Sequence, residues 1–139
     1  LVQTIPLTGA VIVTTPQEIS LIDARKALKM FERVNVPVLG VVENMSYFIA
    51  PDTGNKYDIF GSRKKKKICK ELNTTLLGGI PIDPRIRQGG DNGIPMVFGI
   101  PDAKETHILM DISRKLTDQV NIRNSNASEK IEILLGDED

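Results

Sequence analysis

Gly9-Ala10-Val11-Ile12-Val13-Thr14-Thr15-Pro16-Gln17-Glu18 is the stretch that decides the fold class. Its first seven residues form a nearly continuous apolar, β-branched run, the composition of a strand buried on both faces of a parallel sheet. The last four predict a helix start, with Thr15 as the cap, Pro16 at the first helical position with its preset φ, and Glu18 completing a capping box. Behind it Ile19, Ile22, Ala27, Met30, Phe31 and Val34 recur at helical spacing, with Asp23, Arg25, Lys26, Lys29 and Arg33 mostly between them. Pro37 disfavours helical geometry in the residue before it, so the helix ends near Asn35 and Val38-Leu39-Gly40-Val41-Val42-Glu43-Asn44 reads as the next buried strand. A strand, an amphipathic helix and a second buried strand make a βαβ unit.

Outward from that unit the alternation continues. Met45 to Phe60 reads as a long irregular loop with Pro51, Gly54 and Asn55 as turn residues. Ser62 can cap a helix running to about Leu72, and Leu76-Leu77-Gly78-Gly79-Ile80-Pro81 is a third short strand. Asp83-Pro84 opens a short helical turn, Gly89-Gly90-Asp91-Asn92-Gly93 reads as loop, and Met96-Val97-Phe98 as a brief further strand. Asp102 with Glu105 starts a last helix whose Ile108, Ile112, Leu116 and Val120 step by four along one face. From Asn121 the composition turns to Asn, Ser and charge, which predicts one domain over residues 1–120 and a mobile polar, acidic tail over 121–139. The expected architecture is an α/β layered domain, with flanking helices on a mostly parallel sheet of three or four strands.

Composition narrows the functional classes. Of 139 residues 18 are basic and 18 acidic, so there is no overall attraction to nucleic acid or an anionic membrane. The single cysteine cannot form an internal disulfide or a thiolate metal cage within one chain, which makes a reducing, cytoplasmic compartment the default expectation. No apolar stretch approaches the roughly 18 to 20 residues of a membrane span, and the chain begins with Leu1, as a fragment would. The run Arg63-Lys64-Lys65-Lys66-Lys67 could attract an anion, but it lacks a neighbouring aromatic platform and reads as a solvated helix face. His107 has no second ligand at helical spacing and Cys69 sits in a helical pattern, so neither is assigned a metal.

Ligands in open α/β sheets bind beyond the carboxyl ends of the strands, which directs attention to Thr14–Pro16, Glu43–Ser46 and Pro81–Pro84. A side-chain amide such as Asn44 can donate and accept at once, as reading a purine edge requires; alternatively Asn44 only ends its strand as a turn former. The phosphate-holding pattern G-x-x-x-x-G-K-[ST] is absent, as are G-x-G-x-x-G, G-x-S-x-G and H-E-x-x-H, so the residues offer no recognisable catalytic centre.

Several stretches together, Val11–Glu18, Val36–Phe48, Ile59-Phe60-Gly61, Leu77–Pro84 and Arg87–Pro95, closely resemble the Mrp/ApbC family. These are P-loop ATPases of the MinD/ParA-like type that carry iron–sulfur clusters to apoproteins. The resemblance covers about residues 1–118 and matches the C-terminal half, after the Walker A loop, switch segments and magnesium-binding aspartate. It implies a partial P-loop NTPase fold, ATP with magnesium as cofactor of the full-length protein, and adenine contacts from Asn44, Pro81, Ile82 and Asp83. It implies also a homodimer with the Met45–Phe60 loop toward the interface, and apoproteins as partners. Ala50 and Thr53 stand where the family often has Cys-x-x-Cys; neither can ligate iron as a thiolate does, which counts against a [4Fe–4S] cluster by this route. The expected function is therefore the adenine-side and dimer-contact part of an iron–sulfur cluster carrier ATPase, itself inactive without a Walker A loop. The alternative is a non-catalytic α/β interaction module that has lost nucleotide and cluster chemistry.

Overall fold

The computed structural model describes residues 4–61, 69–70 and 73–136, the stretch 128–136 by its backbone alone. Strands β1 (Ala10–Thr14), β2 (Val38–Glu43) and β5 (Leu76–Gly79) form one parallel sheet in the order β1-β2-β5, and β3 (Phe48–Ile49) pairs antiparallel with β4 (Lys56–Tyr57) in a separate ribbon. Among the described residues helices α1 (Glu18–Arg33), α2 (Pro84–Asp91), α3 (Met96–Gly99) and α4 (Lys104–Gly136) accompany them.

Central strand β2 shows why the layers form. Successive side chains alternate between faces, so Val41 enters a core with Ile12, Leu21 and Ala24 under α1, while Val42 enters one with Leu77 and Ile112 under α4. Ile108 and Leu116 pack beside Ile112, as the four-residue step predicts. The result is the expected α/β arrangement, one helix layer on each side of a parallel sheet.

Several local expectations are corrected. Strand β1 is not buried on both faces: Ile12 and Thr14 are 5% exposed but Val13 is 65% exposed, because β1 is the sheet edge and α4 covers that face only as far as Val11. Helix α1 starts at Glu18 with Gln17 at its cap position and no side-chain cap; Thr15 instead donates to Ser20 Oγ at 2.7 Å, and Pro16 is buried before the helix begins. The buried stripe of α1 is Leu21, Ala24, Ala27 and Leu28, whereas Ile19, Ile22 and Met30 face outward. A Schellman motif ends it: Asn35 takes a left-handed φ of 56° while Val36 N–H donates to Phe31 O and Asn35 N–H to Glu32 O.

The stretch from Met45 to Phe60 is not wholly irregular, since β3 and β4 make a ribbon that turns through Ala50–Asn55. Gly89-Gly90-Asp91 is helix rather than loop. Asp83 caps α2 at its start, and at its end Gly93, with φ 70°, lets Ile94 N–H reach Gly89 O at 2.9 Å. A side-chain carbon on Gly89 would meet Ile94 O at 2.7 Å, so the closure itself requires glycine there. Met96-Val97-Phe98 is a helical turn, not a strand, because Phe98, Gly99 and Ile100 N–H groups all bond back to Pro95 or Met96. Helix α4 does not stop near Val120 but runs to Gly136, with Ser125 Oγ donating to Asn121 O; residues 121–127 are exposed on every side. Polar composition there removed a packing face without removing helical hydrogen bonding. The expected Ser62–Leu72 helix and the Arg63–Lys67 run lie outside the described residues, apart from helical Cys69 and Lys70.

Candidate functional site

Because β2 and β5 are adjacent and parallel, their carboxyl ends deliver Asn44 and Pro81 to the same end of the sheet. Three backbone hydrogen bonds join the two exits: Ile80 N–H donates to Glu43 O at 2.8 Å, Ser46 N–H to Ile80 O at 2.9 Å, and Ile82 N–H to Tyr47 O at 2.7 Å. Asn44 N–H donates to Thr14 O at 2.7 Å, which ties the same exit to β1.

Close approach of the two segments depends on Gly79. A Cβ there would meet Ser46 Oγ at 2.5 Å and Ser46 Cβ at 2.9 Å. Ser46, 3% exposed, donates through that hydroxyl to Glu43 Oε1 at 2.7 Å, and Glu43 itself is 1% exposed. A buried carboxylate held by a charge-assisted bond thus lies directly beneath the turn.

All four residues expected from sequence line one cavity of about 420 Å³, within the range of small-ligand sites. Asn44 and Met45 stand on one side, and Pro81, Ile82 and Asp83 on the other; Pro84, Ile86 and Arg87 continue the wall along α2. Met45 holds a left-handed φ of 53°, unusual for a residue with a long side chain and costing about 1 to 2 kcal/mol. Asn44 Oδ1 accepts from Met45 N–H at 2.9 Å and fixes that conformation. One lone pair of Oδ1 is therefore engaged, and Asn44 offers the cavity its Nδ2 donor and the second lone pair. A mostly apolar lining that includes a side-chain amide suits a heteroaromatic ring.

The Asp83 carboxylate is not available to such a ring. It caps α2 by accepting from Arg85 N–H at 2.7 Å, and takes the Arg85 guanidinium on both oxygens, Nη2 to Oδ2 at 2.6 Å and Nε to Oδ1 at 3.1 Å. The Arg85 hydrogen bond holds the Asp83 carboxyl below the usual carboxylate range. Arg85 Nη2 also reaches Glu105 Oε2 at 2.8 Å. Burial, and then the charge of Glu105, push the Tyr47 phenol up, and Lys56 Nζ lies 4.1 Å above the Tyr47 ring centre.

Met45 and Ser46 fall within the Glu43–Ser46 strand end that the sequence singles out, whereas sequence reasoning missed Ile86 and Arg87 as lining residues and Gly79, Arg85 and Glu105 as supports. The Asp83-Pro84-Arg85 cap carried a readable signal for Arg85, whereas Glu105 is twenty residues away and only the fold brings it in. Cys69 is half-buried, its thiol pushed up by burial and then by the Glu43 charge, which suits a structural thiol. Among the described residues no group of three or more His, Cys, Asp or Glu could hold a metal ion, and no helix is long and apolar enough to cross a membrane.

Residues 1–117 match the family model described as NUBPL iron-transfer P-loop NTPase, of the ParA group. An iron–sulfur cluster carrier protein from Synechocystis is 49% identical over 123 residues, which are 88% of this chain and 35% of that relative. A nucleotide-binding protein from Archaeoglobus fulgidus, solved in complex with ADP, is 38% identical with a TM-score of 0.53, over 62% of this chain and 35% of its own. The cell division ATPase MinD of Pyrococcus furiosus superimposes with a TM-score of 0.64 at 23% identity, over 80% of this chain and 43% of its own, a likeness of fold. The chain spans roughly a third of the length of the curated relatives it matches.

Proposed function

Since the chain belongs to the NUBPL iron-transfer P-loop NTPase family, we propose that it supplies the adenine-side wall of the nucleotide site, and part of the dimer surface, in an iron–sulfur cluster carrier ATPase. The observation that carries this reading is the shared cavity of Asn44, Pro81, Ile82 and Asp83 at the carboxyl ends of β2 and β5. The base inserts between the apolar walls of Met45, Ile82, Pro84 and Ile86 and receives a hydrogen bond from Asn44 Nδ2. The Pro81–Asp83 contribution comes from backbone and apolar surface, because the Asp83 carboxylate is held by Arg85.

The phosphates are gripped by a loop outside these 139 residues, which contain no G-x-x-x-x-G-K-[ST]. That division of labour is supported by the chain's one-third share of its relatives' length. ATP with magnesium, bound by the whole protein, supplies the phosphoryl chemistry; this segment fixes where the base stands and so where the triphosphate points. The cluster is cargo for apoprotein recipients. Its ligands are not drawn from the β3–β4 turn, where Ala50 and Thr53 offer iron no thiolate.

Calorimetric titration of the full polypeptide with ADP and with inorganic tripolyphosphate tests the reading. Asn44→Ala is expected to weaken ADP by roughly five- to tenfold, the worth of one directed hydrogen bond, and to spare tripolyphosphate. Unchanged ADP affinity in that variant would refute an adenine contact at Asn44.

A further inference from the structure

Asp83, Arg85 and Glu105 form a chain of charges that leaves the cavity and ends on the first turn of α4. Asp83 belongs to both structures, as the last residue of the cavity turn and the N-cap of α2. Its carboxylate side chain is 12% exposed and that of Glu105 is 14% exposed, while Arg85 between them is 46% exposed. Arg85 lies two residues from Asp83, so that pair alone ties α2 only to itself. Glu105 Oε2, accepting from Arg85 Nη2 at 2.8 Å, adds an anchor from a separate element. Arg85 meets Asp83 with a two-point contact, Nε to Oδ1 and Nη2 to Oδ2, which fixes carboxylate direction as well as distance.

We propose that Glu105 is a positioning residue for the base-side cavity: through Arg85 it holds the Asp83 carboxylate, and with it the Pro81–Asp83 turn, against the Asn44–Tyr47 segment. Glu105 touches no base. It acts through Arg85 on the turn whose Ile82 N–H donates to Tyr47 O at 2.7 Å, the bond that joins this turn to the Asn44–Tyr47 segment. The inference rests on the nucleotide reading of that cavity, and its test separates the two.

In the same titration of the full polypeptide, Glu105→Ala is expected to weaken ADP by about three- to fivefold, the modest effect proper to a partly exposed ion pair. Tripolyphosphate affinity stays unchanged. Glu105→Gln, which keeps an oxygen facing Arg85, recovers part of the loss, and adding Glu105→Ala to Arg85→Ala costs nothing further because both act through one contact. If Asn44→Ala weakens ADP while Glu105→Ala does not, the positioning role is wrong and the base-side reading stands. If Asn44→Ala has no effect, the base-side reading falls and the inference with it. Equal loss of ADP and tripolyphosphate in Glu105→Ala would mark a general defect of folding and overturn the positioning role.

Discussion

Replacing Gly79 by alanine adds one methyl group at the most crowded point beneath the cavity. The new Cβ would stand 2.5 Å from Ser46 Oγ and 2.9 Å from Ser46 Cβ, both far inside van der Waals contact. Gly79 lies in strand β5 with no left-handed φ, so the penalty is steric and not conformational. Ser46 is 3% exposed and cannot swing to solvent, and its hydroxyl is the 2.7 Å donor to buried Glu43. Overpacking costs about 1 to 3 kcal/mol, and a lost hydrogen bond to a charged group about 1.5 to 3 kcal/mol. Because one displacement causes both, a loss of about 3 kcal/mol is expected for Gly79→Ala. Urea unfolding followed by circular dichroism measures it, with an unchanged denaturant slope showing that stability has changed without a change in the surface exposed on unfolding. Gly90→Ala is the control of opposite sign. Gly90 sits in helix α2, where an added Cβ would find nothing within 4 Å, so alanine should stabilise by about 0.5 to 1 kcal/mol. A Gly79→Ala loss below about 1 kcal/mol would mean that Ser46 yields freely, and would refute the account of a fixed segment under the cavity.

Thr106 is 4% exposed and its hydroxyl donates to Ile100 O at 2.7 Å, so Thr106→Val should lower stability by about 1 kcal/mol by thermal unfolding; no change would show that bond to be dispensable. Asp83 has its folded pKa depressed chiefly by the Arg85 hydrogen bond, so its contribution is complete above the unfolded pKa of about 3.9 and is lost as pH falls below it. Asp83→Asn, still a competent N-cap, should therefore flatten the stability slope between about pH 5 and 3, and identical slopes would show the ion pair to be silent. Gly93 holds φ 70° in the closing turn of α2, so Gly93→Ala should cost about 1 kcal/mol in the same unfolding assay, with no loss speaking against a required left-handed residue.

The layered fold was legible because its signals are periodic. The apolar runs at Val11–Ile12 and Val38–Val42, and the four-residue step from Ile108 to Leu116, supply residues to the two cores. The cavity pair Asn44 and Pro81 was legible too, because parallel neighbours must end at the same side. What failed was local and depended on tertiary context. Gly89 and Gly90 read as loop on composition, yet Asp83 and Gly93 bracket them with a cap and a Schellman stop that hold a helix. Ile19, Ile22 and Met30 fit a helical stripe, but Leu21, Ala24 and Leu28 fit another, and the facing strand chose the second. Val13 read as buried because a strand's composition does not say how far the covering helix reaches. The Asp83–Arg85–Glu105 chain needed the fold itself, since nothing in residue spacing brings position 105 to position 85.

Photolabelling of the full polypeptide with 8-azido-ATP, combined with peptide mapping with and without excess ADP, puts the base-side site to the most direct test. Label that ADP displaces should fall on Asn44 or Met45, or within residues 81–87, the segments that line the cavity. Displaceable label confined to other segments, with both of these left unmodified, would contradict the assignment of this cavity to the base.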